Sequence, residues 1–268
     1  MARRDAAPDF IEAIARGFDV ITAFEPGRPV MTLSEIATAT GLARPTVRRI
    51  LVTLEALGHA RSVDGGYTLT PRVLELGTTY VQSTGLWDVA RPHLEELVAQ
   101  THESSSIAQL DGSDIVYVAR VAVPKIITLA VSIGTRFPAP VTSLGKVLLA
   151  GLPIDELEAC LEQPSRSGIN PKDPPGHEAL LDELREGRAR GWALTDQQLA
   201  GGIRSVAAPL RDGHGRVVAA VNVTVHAAET PVEVLRDEHL PRLLRTASAI
   251  SADFAMLDTL PKAVAGSD

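Results

Sequence analysis

The chain has 268 residues, of which 45% are hydrophobic and 22% charged, and this composition is typical of a globular protein of about two domains. Its formal net charge of −7 argues against a protein coated in nucleic acid, and its single cysteine excludes an intramolecular disulfide framework. No stretch approaches the roughly 20 apolar residues that cross a bilayer, so we expect a cytoplasmic protein without a membrane partner.

The negative charge is unevenly distributed along the chain. Residues 1 to 72 carry nine arginines against eight acidic residues, whereas the remainder carries 17 basic against 25 acidic residues. This asymmetry indicates a small module that contacts DNA, attached to an acidic domain with a different task.

The first predicted element is a helix over residues 10 to 24, which the sequence EPGRP ends. Its apolar side chains recur three and four residues apart, and we expect this stripe to close the core of the module that follows. The stripe consists of Ile11, Ile14, Phe18 and Ile21.

Residues 32 to 58, TLSEIATATGLARPTVRRILVTLEALG, predict two short helices joined by a tight turn. Thr32 and Glu35 have the spacing of a capping box, which satisfies the first N–H groups of a helix. Gly41 can adopt the left-handed conformation that ends a helix, and Pro45 suits the first turn of the next one. The second helix is predicted to bury one face, formed by Val47, Ile50, Leu51, Leu54 and Leu57.

The opposite face of the second helix carries arginines, and no acidic residue lies between Leu42 and Leu54. Arginines on a helix that would enter the major groove are typical of a helix-turn-helix reader. The alternative is a helical hairpin with merely solvated arginines, but the capping box, the glycine turn and the basic helix together favour DNA recognition. The predicted DNA-contacting residues of this pair are Thr32, Ser34, Arg44, Pro45, Thr46, Arg48 and Arg49.

The next segment, HARSVDGGYTLTP, predicts a β-hairpin that turns at Asp64-Gly65-Gly66. A hairpin directly behind a recognition helix is a wing. Its Arg61 can contact DNA phosphate, or it can simply solvate an edge strand, and both interpretations stay open.

Two helices, over residues 71 to 84 and 86 to 101, are predicted next, and each can connect the two halves or form a dimer surface. From residue 104 the pattern changes to strands, with a hairpin at Asp111-Gly112, a strand IITLAVS, and a long hairpin over residues 205 to 226. Helices are predicted over residues 143 to 152, 153 to 162, 177 to 190 and 232 to 257. We expect a mixed antiparallel sheet with helices packed against it, as in many small-molecule sensors.

Polar residues in this second half indicate a binding site. Along residues 217 to 225 the odd-numbered side chains face one way, and Asn222 and Thr224 face the other, which suits either a binding surface or ordinary solvent exposure. Ser205 on the partner strand can join them. Ser143 begins a helix whose N–H groups and dipole favour an anion, or it is an ordinary N-cap. Together these residues would suit a carboxylate ligand.

Catalytic motifs are missing from the sequence. Gly145-Lys146 resembles the end of a phosphate loop, but Pro140 replaces the first glycine of that motif. Neither a G-x-S-x-G elbow nor an H-E-x-x-H pair occurs. We therefore predict a protein that is not an enzyme and has neither cofactor nor metal. The competing classes are an enzyme with a fused DNA-binding module and an effector-free architectural protein.

The sequence resembles the IclR (isocitrate lyase regulator) family from about residue 10 to residue 257. The resemblance rests on the helix pair, on DGGYTLTP, on TSLGKVLLAGL and on GWALTDQQLAGGIRSVAAPLRDGHGRVVAAVNVTVH. The segments PRVLELGTTYVQSTGLWDVARPHLEEL, ESSSIAQLDGSDIVYVARV and NVTVHAAE are most similar to the protocatechuate and 4-hydroxybenzoate regulators, which control aromatic-acid catabolism through the β-ketoadipate pathway.

The resemblance implies an α+β fold with an N-terminal winged helix-turn-helix, a linker helix and a GAF-like mixed α/β effector-binding domain. These would span residues 9 to 71, 72 to 86 and 87 to 259, between flexible termini of residues 1 to 8 and 260 to 268. The implied partners are double-stranded operator DNA, a small organic acid and a second copy in a homodimer that pairs into a dimer of dimers. RNA polymerase is a further partner if the protein is an activator.

The resemblance also implies an effector site beside the start of the Gly-Lys helix. By motif, its residues are Ser143, Leu144, Gly145, Asp196, Ser205, Asn222 and Thr224. The chain departs from the family pattern in TDQQLAGG, where glutamines replace the usual glutamate, and this puts Asp196 in doubt. Ser205 replaces a cysteine and Asn222 a serine of other members. The acid can therefore differ, with glyoxylate, pyruvate or a sugar acid as alternatives to an aromatic or β-ketoadipate-like acid.

Overall fold

The computed structural model describes residues 9–25, 27–124, 131–171 and 174–259. The predicted strand IITLAVS and both termini predicted to be flexible lie largely or wholly outside these residues. The chain forms two compact units that divide between Tyr80 and Val81.

The first unit contains three helices and a two-stranded hairpin. The helices are α1 (Glu12–Thr22), α2 (Leu33–Thr40) and α3 (Arg44–Ala56), and the strands are β1 (Ala60–Val63) and β2 (Gly66–Leu69). A 3₁₀ turn (Pro71–Val73) leads into α4 (Leu74–Thr84), along which the chain passes to the second unit. The predicted helix-turn-helix and wing are confirmed.

Local sequence explains how α2 begins and ends. The Thr32 hydroxyl accepts from the Glu35 N–H at 3.2 Å, and the Glu35 carboxylate accepts from the Thr32 N–H at 2.7 Å, which confirms the capping box. Gly41 ends the helix in the left-handed region, with φ of 67°. At the wing, a Cβ on Gly66 would lie 2.4 Å from the Met31 carbonyl oxygen, so only glycine allows β2 to pair there.

Two predictions about the core of this unit are wrong. Three of the four residues of the α1 stripe do not face inward: the exposed fractions are 61% for Ile11, 56% for Ile14 and 55% for Phe18. Only Ile21 of the stripe packs against the core, beside the buried Val20. Leu57 is exposed as well. The α-helix ends at Ala56, so the chain turns at Gly58 and helical spacing no longer determines where Leu57 points.

The second unit is built on an antiparallel sheet between two layers of helices. Its strands are β3 (Ser104–Asp111), β4 (Asp114–Val121), β5 (Arg136–Pro138), β6 (Ala193–Asp196), β7 (Ile203–Arg211) and β8 (Val217–His226), in the spatial order β5-β4-β3-β8-β7-β6. The helices are α5 (Leu86–Thr101), α6 (Ser143–Gly151), α7 (Ile154–Leu161), α8 (His177–Arg190), α9 (Val232–Val234) and α10 (Leu240–Thr259), with a π-helical turn at Leu235–His239.

The two faces of the sheet have separate apolar cores. One face packs against α5 and α10, and the other packs against α6, α7 and α8. Ala219, Val221, Val223 and Val225 of β8 face the α5–α10 side as predicted. Val217 does not, because a β-bulge between Leu210 and Arg211 of the partner strand shifts the register, and Val217 packs on the α6 side. Across the described ranges, no helix has both the length and the apolar content that a membrane span requires.

Candidate functional site

The first unit presents a basic surface on α3. The apolar face of this helix, formed by Val47, Leu51 and Leu54, is buried, so Arg48 and Arg49 on the opposite face are exposed. Arg44 at the first position of the helix is exposed too. No residue that the structure describes holds any of these three side chains in an ion pair. Their guanidinium groups are therefore available to DNA phosphate or to the neutral hydrogen-bond acceptors of a base edge.

The other predicted DNA-contacting residues differ in their availability. Ser34, Pro45 and Arg61 are exposed, and Thr46 is half-buried beside them in the first turn of α3. Arg61 lies on β1 opposite Thr68 of β2. The Thr32 hydroxyl is already engaged in the capping box with Glu35, so that side chain has little left to offer DNA. These DNA contacts stay predictions.

In the second unit, strand register gathers polar side chains on the α6 side of the sheet. One cross-strand row consists of Ser104, Thr224, Ser205 and Thr195, on β3, β8, β7 and β6. A second row, one step along the strands, consists of Arg120, Ser106 and Asn222, on β4, β3 and β8. This polar surface is a consequence of pairing, because the seven residues come from five separate strands.

A hydrogen-bond network joins four of the predicted effector-binding residues. The Ser143 hydroxyl donates to the Ser205 hydroxyl at 2.8 Å, and the Asn222 amide donates to the same oxygen at 3.1 Å and to Thr224 Oγ1 at 2.9 Å. The side-chain oxygen Oδ1 of Asn222 accepts from the Ser106 N–H at 3.0 Å. Asn222 is only 2% exposed, so ordinary solvation does not explain its polarity.

The start of α6 explains why Ser143 is available for this network. Thr142, and not Ser143, is the N-cap, since its hydroxyl accepts from the Gly145 N–H at 3.0 Å. Gly145 itself is required for packing: a Cβ there would lie 2.1 Å from the Ala139 carbonyl oxygen. The close approach of α6 to Ala139 holds Ser143 against the sheet, where it is 1% exposed.

The network forms part of the wall of a cavity. About 60 Å³ of the cavity is accessible to the centre of a water molecule, so it is a small cavity with room for water or a small ligand. Ser143, Ser205, Asn222 and Thr224 line it, and Leu144, Leu199 and Ile203 supply apolar wall. A polar patch surrounded by apolar side chains suits a small ligand with a polar substituent on an apolar body.

The sequence interpretation missed two residues of β4 that line this cavity. Arg120 donates from Nη1 to the Ser106 hydroxyl at 3.0 Å, and burial lowers the pKa of its guanidinium. Tyr117 packs edge-on against Phe137, and burial raises its pKa to about 12, so the phenol stays protonated. Strict alternation would place Tyr117 and Arg120 on opposite faces, but an extra residue at Val118 brings both to the cavity.

Asp196 does not line the cavity. Its neighbour Thr195 does, and the alternation of β6 turns the Asp196 carboxylate to the other face, where it accepts from Arg204 Nε at 2.6 Å. The following loop, residues 197 to 202, contributes Leu199 to the cavity wall. Gln198 in this loop accepts from the buried Lys146 ammonium at 2.6 Å, and Lys146 also pairs with Glu183 of α8.

Comparison with known proteins identifies both units. A model described as IclR helix-turn-helix domain matches residues 13–64, and one described as bacterial transcriptional regulator IclR C-terminal matches residues 78–252. The chain is 39% identical to the Pca regulon regulatory protein of Pseudomonas putida over 238 residues, covering 88% of this chain and 82% of that protein.

Two further relatives support the same family assignment. The p-hydroxybenzoate hydroxylase transcriptional activator of Acinetobacter baylyi is 31% identical over 247 residues, with 90% of this chain and 91% of that protein covered. The crystal structure of a transcriptional regulator from Rhodococcus sp. RHA1 has a TM-score of 0.82 and 46% identity, and covers 92% of this chain and 100% of that one. The predicted α+β architecture is confirmed. The chain belongs to the IclR family of bacterial transcriptional regulators, a family of DNA-binding proteins and not of enzymes.

Proposed function

We propose that this regulator controls a catabolic operon for aromatic acids in response to a small aromatic carboxylate bound in the cavity beside Ser143. The observation that carries the proposal is the network of Ser143, Ser205, Asn222 and Thr224 on the cavity wall, because it joins a helix start to two strands at one polar position. The names of two relatives, one for the Pca regulon and one for p-hydroxybenzoate hydroxylase, support the aromatic class.

Calorimetric titration of the full chain with a panel of acids tests the ligand class. The panel contains 4-hydroxybenzoate, protocatechuate and β-ketoadipate, with glyoxylate, pyruvate and gluconate as the competing small acids. We expect saturable binding of an aromatic acid and weaker or absent binding of the competing acids. Preferential binding of glyoxylate, pyruvate or gluconate would move the protein to another pathway of the family, and binding of none would favour an effector-free role.

We infer that Arg44, Arg48 and Arg49 contact operator DNA through the major groove, with Arg61 of the wing on the backbone. The supporting observation is that Arg48 and Arg49 are exposed on the face of α3 opposite its buried stripe. Arg44 is exposed at the start of α3, and Arg61 is exposed on the wing. Replacing Arg48 or Arg49 with alanine should weaken operator binding by about 1 to 3 kcal/mol if the contact is bidentate to guanine, and less if it is to phosphate. Arg185→Ala is the charge-matched control, on an exposed position of α8. Operator affinity that equals the control in both variants would exclude this face.

We further propose that the protein acts in the cytoplasm as a homodimer, which can pair into a dimer of dimers. Exposed apolar side chains on α1 and α4, including Ile14, Phe18 and Leu74, support an interface with a second copy, since such a surface is unfavourable in water. If the protein activates transcription, RNA polymerase is a partner as well. Sedimentation analysis of the chain with and without operator DNA tests the assembly, and a monomer bound to a single half-site would contradict it.

A further inference from the structure

We propose that Arg120 is the residue that selects an anionic effector, by binding the carboxylate at the end of the cavity opposite the Ser143–Ser205 pair. This inference rests on the proposed function, because it assigns a recognition role within the same cavity. Arg120 was not among the residues that sequence patterns or family motifs indicated.

Arg120 places a positive charge on the cavity wall. The Arg120 guanidinium is half-buried on the cavity wall, and burial of a cation is costly unless an anion compensates it. Among the described residues, no carboxylate forms an ion pair with it, and its guanidinium donates to the neutral Ser106 hydroxyl. Arg120 therefore retains donors and charge for a ligand, and a carboxylate matches the fork geometry of a guanidinium.

The end of the cavity at Ser143 and Ser205 is neutral. Ser143, Ser205 and Thr224 satisfy one another through hydroxyl groups, and these can rotate to donate to a ligand or accept from it. The N-cap Thr142 already satisfies the Gly145 N–H at the start of α6. This end is suited to a neutral hydroxyl substituent, and the carboxylate is better placed at the uncompensated cation.

Arg120 and Ser205 lie on well-separated strands of the sheet. Arg120 lies on β4 and Ser205 on β7, three strand spacings apart in the order β4-β3-β8-β7. That is about 14 Å between backbones. The arginine side chain reaches over Ser106 and covers part of this distance. The remainder fits an elongated ligand with polar groups at both ends, whereas a two-carbon acid would reach only one of them. A hydroxy-substituted aromatic carboxylate has this shape.

Calorimetry with a pair of matched probes tests the assignment. The probes are 4-hydroxybenzoate and its neutral analogue 4-hydroxybenzamide, titrated into the full-length wild type, Arg120→Gln, Arg120→Lys and the control Arg185→Gln. We expect Arg120→Gln to bind 4-hydroxybenzoate about 10- to 100-fold more weakly than the wild type does, as for the loss of a charge-assisted hydrogen bond. The affinity of Arg120→Gln for 4-hydroxybenzamide should differ from that of the wild type by less than about threefold. Arg120→Lys should lie between wild type and Arg120→Gln, and Arg185→Gln should match the wild type.

The outcomes separate this inference from the function on which it rests. Two results would overturn the role of Arg120 while leaving the effector cavity in place. One is an unchanged affinity of Arg120→Gln for 4-hydroxybenzoate, and the other is an equal loss of affinity for 4-hydroxybenzoate and 4-hydroxybenzamide. If the wild type binds neither 4-hydroxybenzoate nor any other aromatic acid, the proposed function and this assignment are overturned together. Thermal unfolding of each variant checks that Arg120→Gln is folded. Retained binding of 4-hydroxybenzamide by Arg120→Gln is a second check that its cavity is intact.

Discussion

Ser143, the first residue of α6, donates its hydroxyl hydrogen bond to Ser205 of β7 across 2.8 Å, between atoms 62 positions apart in sequence. Ser205 Oγ also accepts from the Asn222 amide and approaches Thr224 Oγ1 at 3.3 Å. A ligand that forms a hydrogen bond with one of these groups displaces its present partner, and that partner must then find a new one. The cavity wall therefore couples a helix start to the centre of the sheet, which is the kind of contact through which ligand binding can alter the packing of the unit.

Replacing Ser205 with alanine removes the acceptor that Ser143 and Asn222 share. We expect a loss of about 1 to 3 kcal/mol in unfolding free energy, because the buried Asn222 amide loses a partner. Effector affinity should fall by about five- to tenfold. Ser105→Ala is the matched control: Ser105 is buried too, and its hydroxyl donates to the Asn222 backbone carbonyl from the other face of the sheet. Calorimetry should show normal effector affinity in Ser105→Ala, and an equal reduction in both variants would contradict a specific role for Ser205.

Replacing Gly145 with alanine tests whether the close approach of α6 to Ala139 positions Ser143. The new Cβ would lie 2.1 Å from a backbone oxygen, so the helix must shift. We expect destabilisation of about 1 to 3 kcal/mol, as for overpacking, together with weaker effector binding. In Gly77→Ala the new Cβ meets no atom within 4 Å, and stability should be unchanged or raised by up to about 1 kcal/mol. Chemical denaturation of both variants measures the difference, and equal stability would refute the packing argument.

Gln198 tethers the loop of residues 197 to 202 to the buried Lys146 ammonium. Replacing Gln198 with alanine should free this loop, which supplies Leu199 to the cavity wall, so we expect faster amide exchange in residues 197 to 202 and roughly fivefold faster effector release. Hydrogen–deuterium exchange and stopped-flow dissociation measure the two effects. Gln100→Ala on α5 is the control, and indistinguishable exchange in the two variants would exclude the tether.

The capping box makes the first unit sensitive to pH. The Thr32 backbone N–H, followed by its hydroxyl, lowers the pKa of Glu35 below the ordinary value of 4.5. Because the folded-state pKa is the lower one, this contribution to stability is present above pH 4.5 and is lost as the pH falls through the folded-state pKa. Glu35→Ala should therefore lower the melting temperature near neutral pH, and the deficit should shrink with acidification. The control is Glu25→Ala, at an exposed position outside any helix, and a deficit that does not depend on pH would contradict this linkage.

Local signals in the sequence were sufficient for the helix-turn-helix and for most elements of the sheet. A capping box, a left-handed glycine and hairpin turns act within a few residues, so Thr32, Gly41 and Asp64 each predict their local structure without knowledge of the rest of the fold. The prediction that Ser143, Ser205, Asn222 and Thr224 share one site rested on family motifs and was supported by the alternation of residues along the strand.

What the sequence did not predict depends on long-range packing. The apolar spacing of α1 identifies a stripe, but it does not say whether this chain or a second copy covers Ile14 and Phe18. Val217 and Arg120 lie beside β-bulges, where one extra residue reverses the face that simple alternation predicts. Lys146 resembled a fragment of a phosphate loop, whereas its role depends on Glu183 and Gln198, which approach it only in the folded chain.

In vitro transcription tests the central claim, that an aromatic acid in the cavity controls what α3 does on DNA. The template is the promoter of the genes beside the gene for this protein, with purified chain and RNA polymerase, with and without 4-hydroxybenzoate or the aromatic acid that the calorimetric panel selects. We expect the acid to change transcript yield with the wild type, in line with allosteric coupling of about 5- to 150-fold. No change is expected with the double variant Arg48→Ala, Arg49→Ala. Transcript yield that stays constant while the acid saturates the wild-type cavity would contradict the account.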